Sequence, residues 1–166
     1  MADSSFDIVS EFDKAEMNNV FDQSQREIGN RYDFKSANIS LEWLDNDKTG
    51  IKIIGENQYQ LDAVVYIFRK KLSLRGQSLK TLDVDANKPN ESNFKISWEI
   101  PFKKGLNQEK AKSISSLIRQ SFPKVKVQTQ GDAVRVFSSK KDDLQSVMAL
   151  LKVNDFDYPL SFNNFR

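Results

Sequence analysis

Neither cysteine nor histidine occurs in the chain. Their absence excludes disulfides, thiolate and imidazole metal sites, Ser-His and Cys-His nucleophile pairs, and histidine acid-base chemistry. Glycine is sparse too. The six glycines, at 29, 50, 55, 76, 105 and 131, form neither a GxxxxGK[ST] nor a GxGxxG arrangement, so no P-loop or dinucleotide fingerprint cradles phosphate. No apolar run approaches the ~20 residues of a membrane span. The opening MADSSFDIVSEFDK carries acids before any base and has no signal-peptide core, so the expected compartment is the cytoplasm, with no membrane contact. What is present is 166 residues, 39% hydrophobic and 29% charged, ordinary for a soluble globular protein with one good core or two small domains.

A net charge of +2 conceals an asymmetry. Residues 1–88 hold 12 Lys and Arg against 15 Asp and Glu, and residues 89–166 hold 13 against 8. If the protein meets a polyanion, the second half is the expected side. The plainer reading is a solvated helix face with lysines kept for solubility.

From Gln130 to Lys152 a turn pair, an alternating strand and a helical apolar repeat follow one another: Gly131-Asp132, then Val134 and Val136, then Leu144, Val147, Met148 and Leu151. The same pattern lies 83 residues earlier, with Ile51 and Ile53 as the strand and Leu61, Val64, Val65 and Phe68 as the helix. An internal duplication is therefore expected, with halves 1–88 and 89–166.

Within the first half, Phe6, Ile8 and Phe12 read as a strand. Asp13 with Glu16 signals a helix start, and Met17, Val20, Phe21, Ser24 and Ile28 form its buried stripe. Ile39, Leu41 and Trp43 alternate as a second strand that turns at DNDKTG into the third. The helix over Leu61–Leu72 stops near Gly76, Leu79–Asp85 closes the half as a strand, and DANKPNES is a connector. The second half restarts with Phe94, Ile96, Trp98 and Ile100, matched to Phe6 and Ile8 at an offset of 88. Asn107 caps a helix with Ala111, Ile114, Leu117 and Ile118 inward, and Pro123 ends it. A strand over Val125–Gln130 follows, and Leu160–Phe165 closes the chain.

Each half reads β-α-β-β-α-β, the ferredoxin-like order, an α+β class with antiparallel sheets and the helices on one face. The period of two puts Val125, Val127, Val134 and Val136 under the helices. Lys126, Gln128, Gln130, Arg135 and Phe137 then share the open face. A base could stack on Phe137, meet Gln128 or Gln130 with its polar edge, and set phosphate near Arg135 or Lys126. Packing of this face against protein is the equally weighted alternative. Arg31, Lys35 and Arg69 are expected helpers. One aromatic across GIKIIGE and DAVRVFS is fewer than an RNP1-style stacking surface needs.

Two further constellations are weighed. Asp45–Glu56 matches an EF-hand loop at several ligand positions, but its flanks read as strands, so no calcium is expected. Asp83/Asp85 and Asp142/Asp143 read as turn and helix-start acids, and Trp43 and Trp98 as core.

Five ordered segments, SFDIVSE, RYDFK, LRG with SLKTLDV, QGDAVRV with KKDDLQSVMALLK, and PLSFNNFR, resemble the YajQ family of bacterial nucleotide-binding proteins over nearly the whole chain. The resemblance implies two ferredoxin-like domains similar to RNA-recognition folds, with N-terminal strands exchanged between them. It also implies a nucleotide or RNA ligand, in some members cyclic di-GMP, and carries no catalytic residues. Ser138 and Asn154 stand where many relatives have glycine, which would alter left-handed loop conformations. The resulting expectation is a binding protein without cofactor or catalysis, for a cyclic dinucleotide, GTP, ATP, or RNA or tRNA phosphate. The alternative is a docking module for a protein partner, with a phosphotransferase or hydrolase third.

Overall fold

A computed structural model describes residues 3–166. The chain forms two compact units, each an antiparallel four-stranded sheet with two helices: Phe12–Lys103 is one, and the segment through Glu11 together with Lys104–Arg166 is the other.

In the contiguous unit, Asp13 accepts the Glu16 N–H at 3.1 Å and starts α1 (Lys14–Asn30). Its buried residues are Met17, Val20, Phe21, Ser24 and Ile28, the stripe expected from helical spacing. Strands β2 (Ser40–Trp43) and β3 (Gly50–Gly55) form the next hairpin, and α2 (Gln58–Leu74) follows. Asn57 caps α2, and Arg75 with Gly76, at φ +71°, ends it. Strands β4 (Asn90–Ser92) and β5 (Lys95–Pro101) complete the sheet in the order β2-β3-β5-β4. Gly50 allows β3 to lie against β5, since a Cβ there would sit 2.5 Å from the Ile100 carbonyl oxygen.

The other unit begins with β1 (Ser4–Val9) and resumes with α3 (Gln108–Ser121), β6 (Lys126–Gln130), β7 (Ala133–Ser138), α4 (Lys141–Val153) and β8 (Ser161–Asn163). Its sheet order is β6-β7-β1-β8. Asn107 caps α3 by accepting the Lys110 N–H at 2.8 Å. Phe6 and Ile8 of β1 are fully buried with Ile114, Ile118, Val134, Val136 and Val147. At about 1.5–3 kcal/mol for each large apolar side chain, these two residues bind β1 firmly to its sheet.

Several expectations are corrected. Phe12 is not in the first strand; its ring packs edge-on against Phe102, 5.2 Å away, in the contiguous unit's core. Leu79–Asp85 is no strand but a 3-10 turn over Leu79–Thr81 and a single bridge from Leu82 to Phe102. The connector DANKPNES ends in a strand, because its last three residues pair with β5. Phe94 is fully exposed at the tip of that hairpin, where Asn93 and Phe94 take φ +52° and +64°, the left-handed pair of a tight two-residue turn.

The register also moves the repeat. Ile53 pairs with Trp98 and Val136 with Phe6, so Trp98, four residues beyond Phe94, is the counterpart of Phe6. The repeat boundary at 88/89 and the compact units are thus different divisions of the chain. The charge asymmetry shrinks accordingly. The unit containing β1 holds eleven Lys and Arg against nine Asp and Glu, while Phe12–Lys103 holds fourteen of each.

Candidate functional site

Alternation along β6 and β7 sorts their side chains. Val125, Val134 and Val136 are buried under the helices and Val127 is half-buried beside them. The opposite face carries Lys126 across from Phe137 and Gln128 across from Arg135, while Gln130 faces Ala133 at the hairpin end. Lys126 and Gln128 are exposed, and Gln130, Arg135 and Phe137 are half-buried. All five sequence-predicted residues therefore lie on one sheet face. Arg31, Lys35 and Arg69 are not part of that face, since they belong to the contiguous unit. There Arg31 pairs with Asp33 at 2.8 Å and lies over the Phe34 ring, Lys35 is exposed, and Arg69 keeps a buried Nε without a partner.

The face is less open than alternation implies. Strand β1 adds Ser5 beside Phe137 and Asp7 beside Arg135, and Ser5, Asp7 and Ala133 are all buried. Arg135 Nε and Nη2 donate to Asp7 Oδ1 and Oδ2 at 2.8 and 3.3 Å, and Asn164 Nδ2 donates to Asp7 Oδ2 at 2.9 Å. The hydrogen bond from Arg135 holds the Asp7 carboxyl below its ordinary range, against burial, which pushes it up; Asn164 assists. The same bond raises the Arg135 guanidinium. Arg135 is thus committed to a carboxylate, a partner 128 residues away that the local pattern does not reveal. Lys126, at the rim, is the cation of this face that meets solvent.

Ser138 and Asn154 adopt no left-handed backbone. Ser138 Oγ accepts the Lys140 N–H at 3.1 Å and donates to Asp143 Oδ2 at 3.2 Å, taking over the start of α4, where Lys140 makes no side-chain cap. Asn154 Nδ2 donates to the Leu150 carbonyl at 2.8 Å and closes the helix end. Both residues work as caps.

Between β2 and β3, Asp45 accepts the Thr49 N–H at 3.0 Å and also the Thr49 hydroxyl, so its oxygens close the turn. Strands flank this turn, and among the described residues no group of three acidic side chains is placed to hold a metal ion. Beside the turn lies a feature that the pattern missed, a cleft of about 360 Å³ lined by residues that include Phe12, Lys14, Asn18, Trp43, Asp47 and Lys48. Trp43 packs against the core, one face stacked on Phe21 at 4.0 Å and an edge toward Phe102, and it also borders the cleft. A tryptophan followed by a lysine-bearing turn was the available signal.

Among the described residues no helix is long and apolar enough to cross a membrane. A family model described as "Nucleotide-binding protein YajQ-like" matches residues 4–166. The chain is 46% identical over 167 residues to a "Nucleotide-binding protein" of a Nocardioides species, with 100% of each chain covered. It is 45% identical to a protein of the same name from Thermobifida fusca, with 99% of each covered, and 46% identical to one from Trichodesmium erythraeum, with 98% of each covered.

Proposed function

The chain belongs to the YajQ-like family of nucleotide-binding proteins, and from that premise we propose that it binds a nucleotide on the β6-β7 face without catalysing a reaction. The observation that carries this reading is the register, which sets an exposed amine, Lys126, beside the Phe137 ring, and an exposed amide, Gln128, beside the Arg135 guanidinium. A base stacks on Phe137 and offers its polar edge to Gln128 or Gln130, while Lys126 meets phosphate. Arg135, held by Asp7, shapes the face and supplies its outward donors. Arg31, Lys35 and Arg69 belong to the contiguous unit and form no part of this proposed site. The ligand classes are a cyclic dinucleotide such as cyclic di-GMP, GTP or ATP, and RNA or tRNA phosphate. With two or three charge-assisted contacts of about 1.5–3 kcal/mol each, less ordering costs, binding in the micromolar range is expected.

We read the two halves, 1–88 and 89–166, as duplicated ferredoxin-like motifs that have exchanged their first strands. The sheet orders β2-β3-β5-β4 and β6-β7-β1-β8 support this, since β5 and β1 each sit where the other half's first strand would go. We propose the cytoplasm as its location.

A protein-docking module is the second reading, favoured by the buried Ser5, Asp7 and Ala133 and by the engagement of Arg135 on this face. Calorimetric titration of the wild type and Lys126→Ala with GTP, ATP, cyclic di-GMP and tRNA separates the two. A nucleotide ligand gives affinity that falls steeply with salt, about one log unit of slope per phosphate contact. Silence across the panel leaves docking as the function.

A further inference from the structure

The cleft beside Trp43 brings together two aromatic rings, two amines, two amides and a carboxylate, all within Phe12–Lys103 and none on the β6-β7 face. We propose that it is a second ligand site, which takes a purine nucleoside monophosphate with its base on the Trp43 indole. One face of that indole is closed by Phe21, parallel within 11° at 4.0 Å. Over the ring lies the Lys48 ammonium, 5.1 Å from the centroid, which also donates to Asn18 Oδ1 at 2.8 Å.

That cover is readily displaced. Lys48 is exposed, where a cation over a ring is weakly held. Its backbone, by contrast, is fixed in a left-handed turn at φ +58°, with its N–H bonded to the Asp45 carbonyl. The amine can therefore swing off the indole while the turn stays in place. A purine entering above the ring exchanges a solvated ammonium for a stacked π-face. The released Lys48 amine and Lys14, both lining the cleft, meet the phosphate. Asn18, freed of Lys48, can bond the base edge. Asp47 accepts only and repels phosphate, so it orients the ribose hydroxyls to its own end. At about 360 Å³ the cleft is near the small end of ligand pockets, a size for one base, one sugar and one phosphate and not for a dinucleotide.

The chain has two tryptophans, so Trp98→Phe leaves Trp43 as the sole indole reporter in the full-length protein. AMP and GMP should quench its fluorescence saturably, UMP should bind roughly tenfold more weakly because its ring is smaller, and inorganic phosphate should leave the emission unchanged. Lys14→Gln combined with Lys48→Gln, both surface changes, should weaken AMP by at least about tenfold. Calorimetry of AMP into Lys126→Ala, which keeps both tryptophans and weakens the β6-β7 face, should give the same affinity as the quench. Lys126→Ala should leave the quench intact, so failure of the β6-β7 reading and failure of this one are separable. Three results overturn the proposal: no saturable quench and no heat at millimolar AMP, a quench undiminished in the double-lysine variant, or a quench of equal size with UMP or with phosphate alone.

Discussion

The outer faces of the two sheets carry corresponding three-strand ranks. In one, Glu42, Lys52 and Glu99 stand side by side across β2, β3 and β5; in the other, Gln128, Arg135 and Asp7 stand across β6, β7 and β1. Each rank has a central cation, but its neighbours differ. Lys52 lies between two exposed carboxylates, which leaves that rank with a net negative charge, whereas Arg135 has one buried carboxylate and one exposed amide. One scaffold thus presents phosphate with a repelling stripe on one sheet and, on the other, a neutralised pair with Lys126 beyond it. At the outer position of the two ranks the difference is a glutamate, Glu42, in one and a glutamine, Gln128, in the other.

The comparison can be broken at its core first. Leu61→Ala and Leu144→Ala remove matching residues from the two cores, and each should cost about 2–5 kcal/mol in a urea titration. Val136→Ala should cost about 1–3 kcal/mol. A markedly smaller loss at Leu144 would mean that the two units are not equivalent in packing.

Next come the carboxylates. Asp7→Asn should lower the denaturation midpoint clearly at pH 7, whereas Glu99→Gln, at the matching exposed position, should stay within about 0.5 kcal/mol. Because the folded pKa of Asp7 is depressed, its stabilisation is complete above the ordinary value near 3.8 and declines as pH falls below that toward the lower folded value. The variant should therefore lose less stability than wild type between about pH 4 and pH 2. Parallel acid limbs for the two proteins would remove Asp7 from the account.

Smaller effects belong to binding. Lys126→Ala should weaken nucleotide affinity about tenfold and lower the salt slope by about one, and Lys52→Ala should change neither. Glu42→Gln, which gives the first rank an amide in place of its acid, should raise weak polyanion binding by no more than a few-fold, as seen by titration with tRNA at low salt.

Legibility in the sequence tracked the range of the interaction. The α1 stripe and the caps at Asp13 and Asn107 rest on neighbours within a turn or two, and they were read in full. The β6-β7 face was equally local, since a tight turn fixes the register of both strands. Where β1 would pair could not be read from a period of two, which sorts faces but names no partner. For the same reason Phe12 was assigned to a strand, and Phe94, alternating in phase with Ile96, concealed a hairpin turn. The Asp7–Arg135 pair leaves no mark in any short window, and of the Trp43 cleft only the Trp43–Lys48 wall does, since its other wall comes from Phe12–Asn18.

The placement of β1 bears on how the protein is made. On a ribosome, Ser4–Val9, with its greasy Phe6 and Ile8, emerges well before its sheet neighbours β7 and β8. The contiguous Phe12–Lys103 unit is synthesised in the meantime, while this leading strand waits with both edges bare. Until β7 and β8 follow, the nascent chain trails a sticky, unpaired ribbon, the kind of segment that chaperones at the exit tunnel exist to shelter.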